Sequence, residues 1–123
     1  MSYSVSLYTS DVKDAALAGT DLEDLQDIPI PEDLRAQFKT KIEKFRYQIE
    51  SNSASCTEYI HPNPKWGIQV VVFKSQIAFS IPYWDDSENA IMEALMTAHE
   101  IADDLGLCVY DPQTGEWGIG SGM

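Results

Sequence analysis

The residues best equipped for chemistry lie in His99-Glu100-Ile101-Ala102-Asp103. A zinc-protease helix sets two His at i and i+4 so that both imidazoles reach one metal, and the Glu between them acts as base on the bound water. Here Asp103 stands where the second His belongs. A carboxylate can ligate zinc, so a small metal-dependent hydrolase using His99 and Asp103 is one alternative. Against it, the only other His is His61, and no His follows Asp103 to serve as third ligand. On a helical wheel His99 falls at the border of the apolar face, an ordinary structural position. Thiol chemistry has equally little support. Cys56 and Cys108 are each several residues from a His, and nothing local poises a base on either thiol. Both are expected as reduced core thiols. No G-x-G-x-x-G or Walker-type loop is present for a nucleotide. The sequence therefore assigns no catalytic residue, no metal ligand and no cofactor.

A second candidate constellation is Tyr110-Asp111-Pro112-Gln113-Thr114-Gly115-Glu116-Trp117-Gly118. Its residue types describe a turn before they describe a site. Asp accepts N–H bonds from the residues that follow, Pro presets φ for the second position of a type I turn, and Gly supplies the positive φ that returns the chain. The segment resembles a designed mini-hairpin peptide in shape and pattern. Tyr110 and Trp117 are predicted to pair across the hairpin, and Asp111 is a turn residue first.

The elements that must position these residues follow from periodicity. Tyr3, Val5 and Leu7 alternate with serines and predict a strand. A short helical piece is expected over Asp11 to Leu17, closed by Gly19, and Thr20 to Glu23 has capping-box spacing. Leu34, Phe38, Ile42, Phe45 and Ile49 make one stripe and predict a helix from about Pro31 to Glu50. Strands follow at Thr57 to Ile60, Ile68 to Phe73 and Ile77 to Pro82, the last two joined as a hairpin through Lys74-Ser75-Gln76. A second long helix runs from a cap at Asp85 or Asp86 to about Leu105, with Gly106 as the left-handed stop. Leu107 to Tyr110 and the segment around Trp117 complete the set. The expected architecture is a single α+β domain over residues 1–123. Its mixed or largely antiparallel sheet of about five or six strands is packed on one face by two long helices.

Charge narrows the partners. The net charge is −12, with 8 Lys and Arg against 20 Asp and Glu. Nucleic acid and anionic membranes share that sign and are excluded as expected partners. The charge is also polarised: from Ser75 onward there is no Lys or Arg, whereas Arg35, Lys39, Lys41, Lys44 and Arg46 crowd into one segment. The hydrophobic content of 44% is enough to fold. No stretch approaches the roughly 20 apolar residues of a membrane helix. The first residues lack a signal-peptide pattern, so a cytoplasmic location is expected.

What remains is a surface. Glu93, Glu100, Asp103 and Asp104 share the outer side of the last helix with Asn89, and Met92 and Met96 lie beside them. Adaptable Met flanked by acids suits docking of a basic protein. The candidate partner-binding set is Asp85, Asp86, Glu93, Met96, Glu100, Asp103 and Asp104, with Tyr83 and Trp84 as possible aromatic anchors.

Ala102, Leu105-Gly106-Leu107 and then Val109-Tyr110-Asp111-Pro112-Gln113 resemble a pattern in small acidic bacterial proteins, among them immunity proteins that neutralise a secreted antibacterial toxin. The resemblance covers roughly the last third of the chain. It implies a non-enzymatic, cytosolic inhibitor that occludes the basic active-site cleft of a cognate toxin, and it transfers no functional residue. Size, charge and lack of a catalytic set agree with that expectation. The alternatives are the His99/Asp103 hydrolase and a self-associating structural domain.

Overall fold

The computed structural model describes residues 2–25, 28–83 and 87–117. Strand β1 (Ser2–Tyr8) leads into α1 (Ser10–Leu17), whose first turn is capped by the Thr9 hydroxyl accepting the Val12 N–H. A 3-10 turn (Leu22–Leu25) precedes α2 (Glu32–Lys44). Four strands follow: β2 (Gln48–Asn52), β3 (Thr57–Ile60), β4 (Gln69–Val72) and β5 (Ile77–Pro82). Helix α3 (Ser87–Leu105) then leads to β6 (Cys108–Asp111) and β7 (Glu116–Trp117). The strands form one sheet in the order β2-β3-β4-β5-β1-β6-β7, and every neighbouring pair is antiparallel. The α+β class and the antiparallel sheet match expectation; the strand count is seven.

The extra strand comes from the helix expected over Pro31 to Glu50. That helix stops at Lys44 and is 13 residues long. Arg46 takes φ +72°, its N–H reaches the Glu43 carbonyl, and the Tyr47 N–H reaches back to the Ile42 carbonyl. This is the helix stop that usually employs glycine, built here on an arginine. The apolar repeat stays in phase past the stop by coincidence. Phe45 still packs on the core, but Ile49 sits on edge strand β2 and is 55% exposed.

Pairing puts partners on one face. Val5 lies opposite Phe79, Leu7 opposite Ile77 and Val109, and Val70 opposite both Tyr59 and Phe79. All are buried beneath Phe38 and Ile42 of α2 and the Ala90, Ala94, Ala98, Ile101 and Ala102 face of α3. Alanine every fourth residue lets α3 lie close against the sheet. Phe38 meets Phe79 edge-on, with ring centroids 6.2 Å apart.

The opposite face is not left bare, as an arrangement with helices on one side would leave it. Tyr8, Tyr110 and Trp117 project there and pack with Val12 of α1 and Leu25 of the 3-10 turn. Consequently β1 is buried on both sides at its end: Leu7 and Tyr8, facing opposite ways, are both buried. Gly106, at φ +71°, ends α3 as expected, with the Leu107 N–H bonded to the Ala102 carbonyl. Cys56 and Cys108 are free thiols, half-buried rather than core residues. Among the described residues no helix is long and apolar enough to cross a membrane.

Candidate functional site

Helix α3 carries 19 residues and presents three edges. Its buried edge is the alanine face. A second edge meets α2, where the Lys41 ammonium lies 3.2 Å from the Asp104 carboxylate. Glu93 falls on that same side of the helix, and its carboxylate is 3.6 Å from His61 Nε2. On the third edge no other helix packs among the described residues. Ile91 and Leu95 are half-buried there, while Met92 and Met96 are 62% and 64% exposed. With Glu88, His99 and Glu100 they line an open, mainly apolar groove of about 530 Å³.

The expected partner-binding residues are therefore divided. Met96 and Glu100 line the groove, and Asp103 is exposed beside it. Asp104 and Glu93 are engaged by Lys41 and His61. Asp85, Asp86 and Trp84 lie outside the described residues, and Tyr83, just before them, is exposed.

His99 borders the groove. Burial pushes its imidazole below the ordinary value, opposed by the nearby Asp103 carboxylate. Its Nε2 is buried with no hydrogen-bond partner among the described residues. Among the described residues no group of three or more His, Cys, Asp or Glu side chains is arranged to hold a metal.

One cluster was not legible in advance. His61 packs between Tyr47 and Trp66, both with ring centroids 5.0 Å away. Its Nδ1 accepts the Asn63 N–H at 2.9 Å, which leaves the proton of the neutral ring on Nε2, toward Glu93. Burial lowers the His61 pKa, and the Glu93 carboxylate works the other way. Only the His-Pro-Asn-Pro run hinted at a tight connection; its contact with α3 is tertiary.

The Tyr110 to Trp117 segment is a hairpin, with Gly115 at φ +75° and the Thr114 and Gly115 N–H groups bonded to the Asp111 carbonyl. The Tyr110 and Trp117 rings lie 4.8 Å apart. Asp111 is 2% exposed and accepts the Tyr3 hydroxyl at 2.5 Å and the Gln113 N–H at 2.8 Å. The Gln113 side-chain amide also donates to this carboxylate. The same amide binds both the N–H and the carbonyl of Ser4, at 2.9 and 2.8 Å, as a neighbouring strand would. The segment's polar residues fasten β6 to β1. No protein-family model and no curated protein matches the chain.

Proposed function

We propose that this chain is a non-enzymatic acidic binding protein that inhibits a basic protein, as an immunity protein inhibits its cognate bacterial toxin, by laying the Met92/Met96 edge of α3 over the partner's cleft. The observation that carries the proposal is the pairing of exposed Met with acids that form no ion pair among the described residues. Met92 and Met96 expose flexible apolar surface, and Glu88, Glu100 and Asp103 flank it with no ion pair among the described residues. A partner that covers the stripe must bring apolar surface framed by Lys or Arg. A second copy of this chain would set acid against acid across an isologous interface, in a molecule of net charge −12. A basic partner gains both the apolar contact and electrostatic steering.

The test is capture on the wild-type chain and on a Met92→Lys/Met96→Lys variant, at low and high salt, followed by assay of the captured protein. A basic protein bound at fixed ratio, inactive while bound and lost with the double variant, supports the proposal. Equal capture by the double variant removes the α3 edge, and a captured protein that stays active removes inhibition. A chain that self-associates and captures nothing favours the structural alternative.

A further inference from the structure

On the face of the sheet opposite α3, a second open cleft of about 510 Å³ lies between the end of α1, the 3-10 turn and the β6–β7 hairpin. Tyr110 and Trp117 form one wall, and Leu17 and Leu22 help to line the other. Asp21 and Glu23 stand at the cleft with exposed carboxylates, neither ion-paired among the described residues.

We infer that this cleft binds a guanidinium group, carried by an arginine side chain or by a free guanidino compound. Two independent features favour a cation there: the aromatic wall of Tyr110 and Trp117, whose rings carry negative π faces, and the two carboxylates. The combination favours guanidinium over ammonium. A planar guanidinium stacks on an aromatic ring while its edge N–H groups still reach carboxylates, whereas a compact ammonium does one or the other. The cleft shares no lining residue with the α3 groove, so the inference stands apart from the proposed function.

The experiment is an NMR titration of the intact chain with N-acetyl-arginine methylamide, followed through the Trp117 indole and the Leu22 and Gly115 amides. Exposed carboxylates and a single stacked ring place the affinity in the millimolar range. Saturable shifts confined to those residues are expected. The neutral isostere N-acetyl-citrulline methylamide should bind at least about tenfold more weakly, and Asp21→Asn/Glu23→Gln should weaken the arginine probe by about 3–10-fold. That variant alters only exposed side chains, so a loss of binding in it is not a loss of fold. Equal shifts from citrulline, or unsaturable shifts scattered over the acidic surface, overturn the site. A lysine amide bound as tightly as arginine overturns the guanidinium assignment. A capped Gly-Arg-Gly peptide separates the sources: tighter binding than the single amide indicates an arginine of a protein chain, and equal binding a free compound.

Discussion

Replacing Asp111 tests whether the Tyr-Asp-Pro-Gln segment is structural in the way its contacts imply. The carboxylate is buried and accepts from the Tyr3 hydroxyl and the Gln113 backbone and side chain. Hydrogen bonds to a charged group contribute about 1.5–3 kcal/mol each. Gln113 is exposed, and water can replace part of what its donors lose. The Tyr3 bond then dominates, and Asp111→Ala should cost about 3 kcal/mol, a fall in Tm of roughly 10 °C for a chain of this size. Tyr3→Phe should cost about 1.5 kcal/mol, and Asp111→Asn, which keeps shape and one acceptor, should fall between Tyr3→Phe and Asp111→Ala. Because the two side chains touch, the double variant should lose less than the sum by about 1 kcal/mol or more. Urea denaturation followed by Trp fluorescence measures all of these.

A second readout is independent of unfolding. Burial first, then the Asp111 carboxylate, pushes the Tyr3 phenol up to about 12. The folded state favours the neutral phenol, so its contribution is intact below the ordinary 10.0 and is lost as pH rises from there through about 12. In Asp111→Ala the phenol should titrate lower, though still above 10.0, because burial persists. Functional carboxylates commonly reduce stability, and deleting them raises it. An Asp111→Ala chain as stable as wild type, or more stable, would therefore refute the structural role and reopen Asp111 as a functional residue.

Arg46→Gly should stabilise the fold by about 0.5–1 kcal/mol, since a left-handed non-glycine costs roughly 1–2 kcal/mol and the added flexibility of glycine in the unfolded chain returns part of it; a destabilised variant would mean that the arginine side chain makes a compensating contact. Burial lowers the pKa of both His61 and His99 from 6.5, so their neutral forms stabilise the fold above pH 6.5, and that contribution is lost as pH falls through the lowered values. Urea midpoints on either side of that pH should show a smaller acid loss in His61→Asn, which retains an acceptor for the Asn63 N–H; an unchanged loss would show that protonation of His61 is not resisted by the fold.

Legibility in the sequence tracked how local the cause was. The hairpin at Asp111 to Gly115 was readable because each of its residues answers to its own φ or its own near neighbour. Gly106 was readable as a stop for the same reason. The end of α2 was not, because Arg46 performs a glycine's task without advertising it, and Phe45 and Ile49 happen to continue the helical spacing into a strand. Nor was the two-sided burial of β1 readable. Tyr8 is the only large residue of its outward row, and its partners arrive from α1 and from β7, far along the chain. The acids of α3 show the limit most sharply: Asp104, Glu93 and Glu100 look alike in sequence, and only the positions of Lys41 and His61 separate engaged carboxylates from available ones.

That separation bears on the proposed docking edge. Lys41 of α2 lies against one side of α3 and takes up Asp104 there. Asp104 on that side is answered within the molecule, while Glu88, Glu100 and Asp103 on the groove side form no ion pair among the described residues. Exposed Met at two successive turns of a helix is an aggregation liability by itself. Flanking it with like-charged carboxylates, in a chain already at −12, repels other copies and leaves the surface open to a basic one. The same arrangement that keeps the stripe from pairing with itself thus selects what can cover it. Met92→Lys/Met96→Lys removes apolar surface and adds positive charge, so it should abolish docking with little change in stability, because neither side chain belongs to the core.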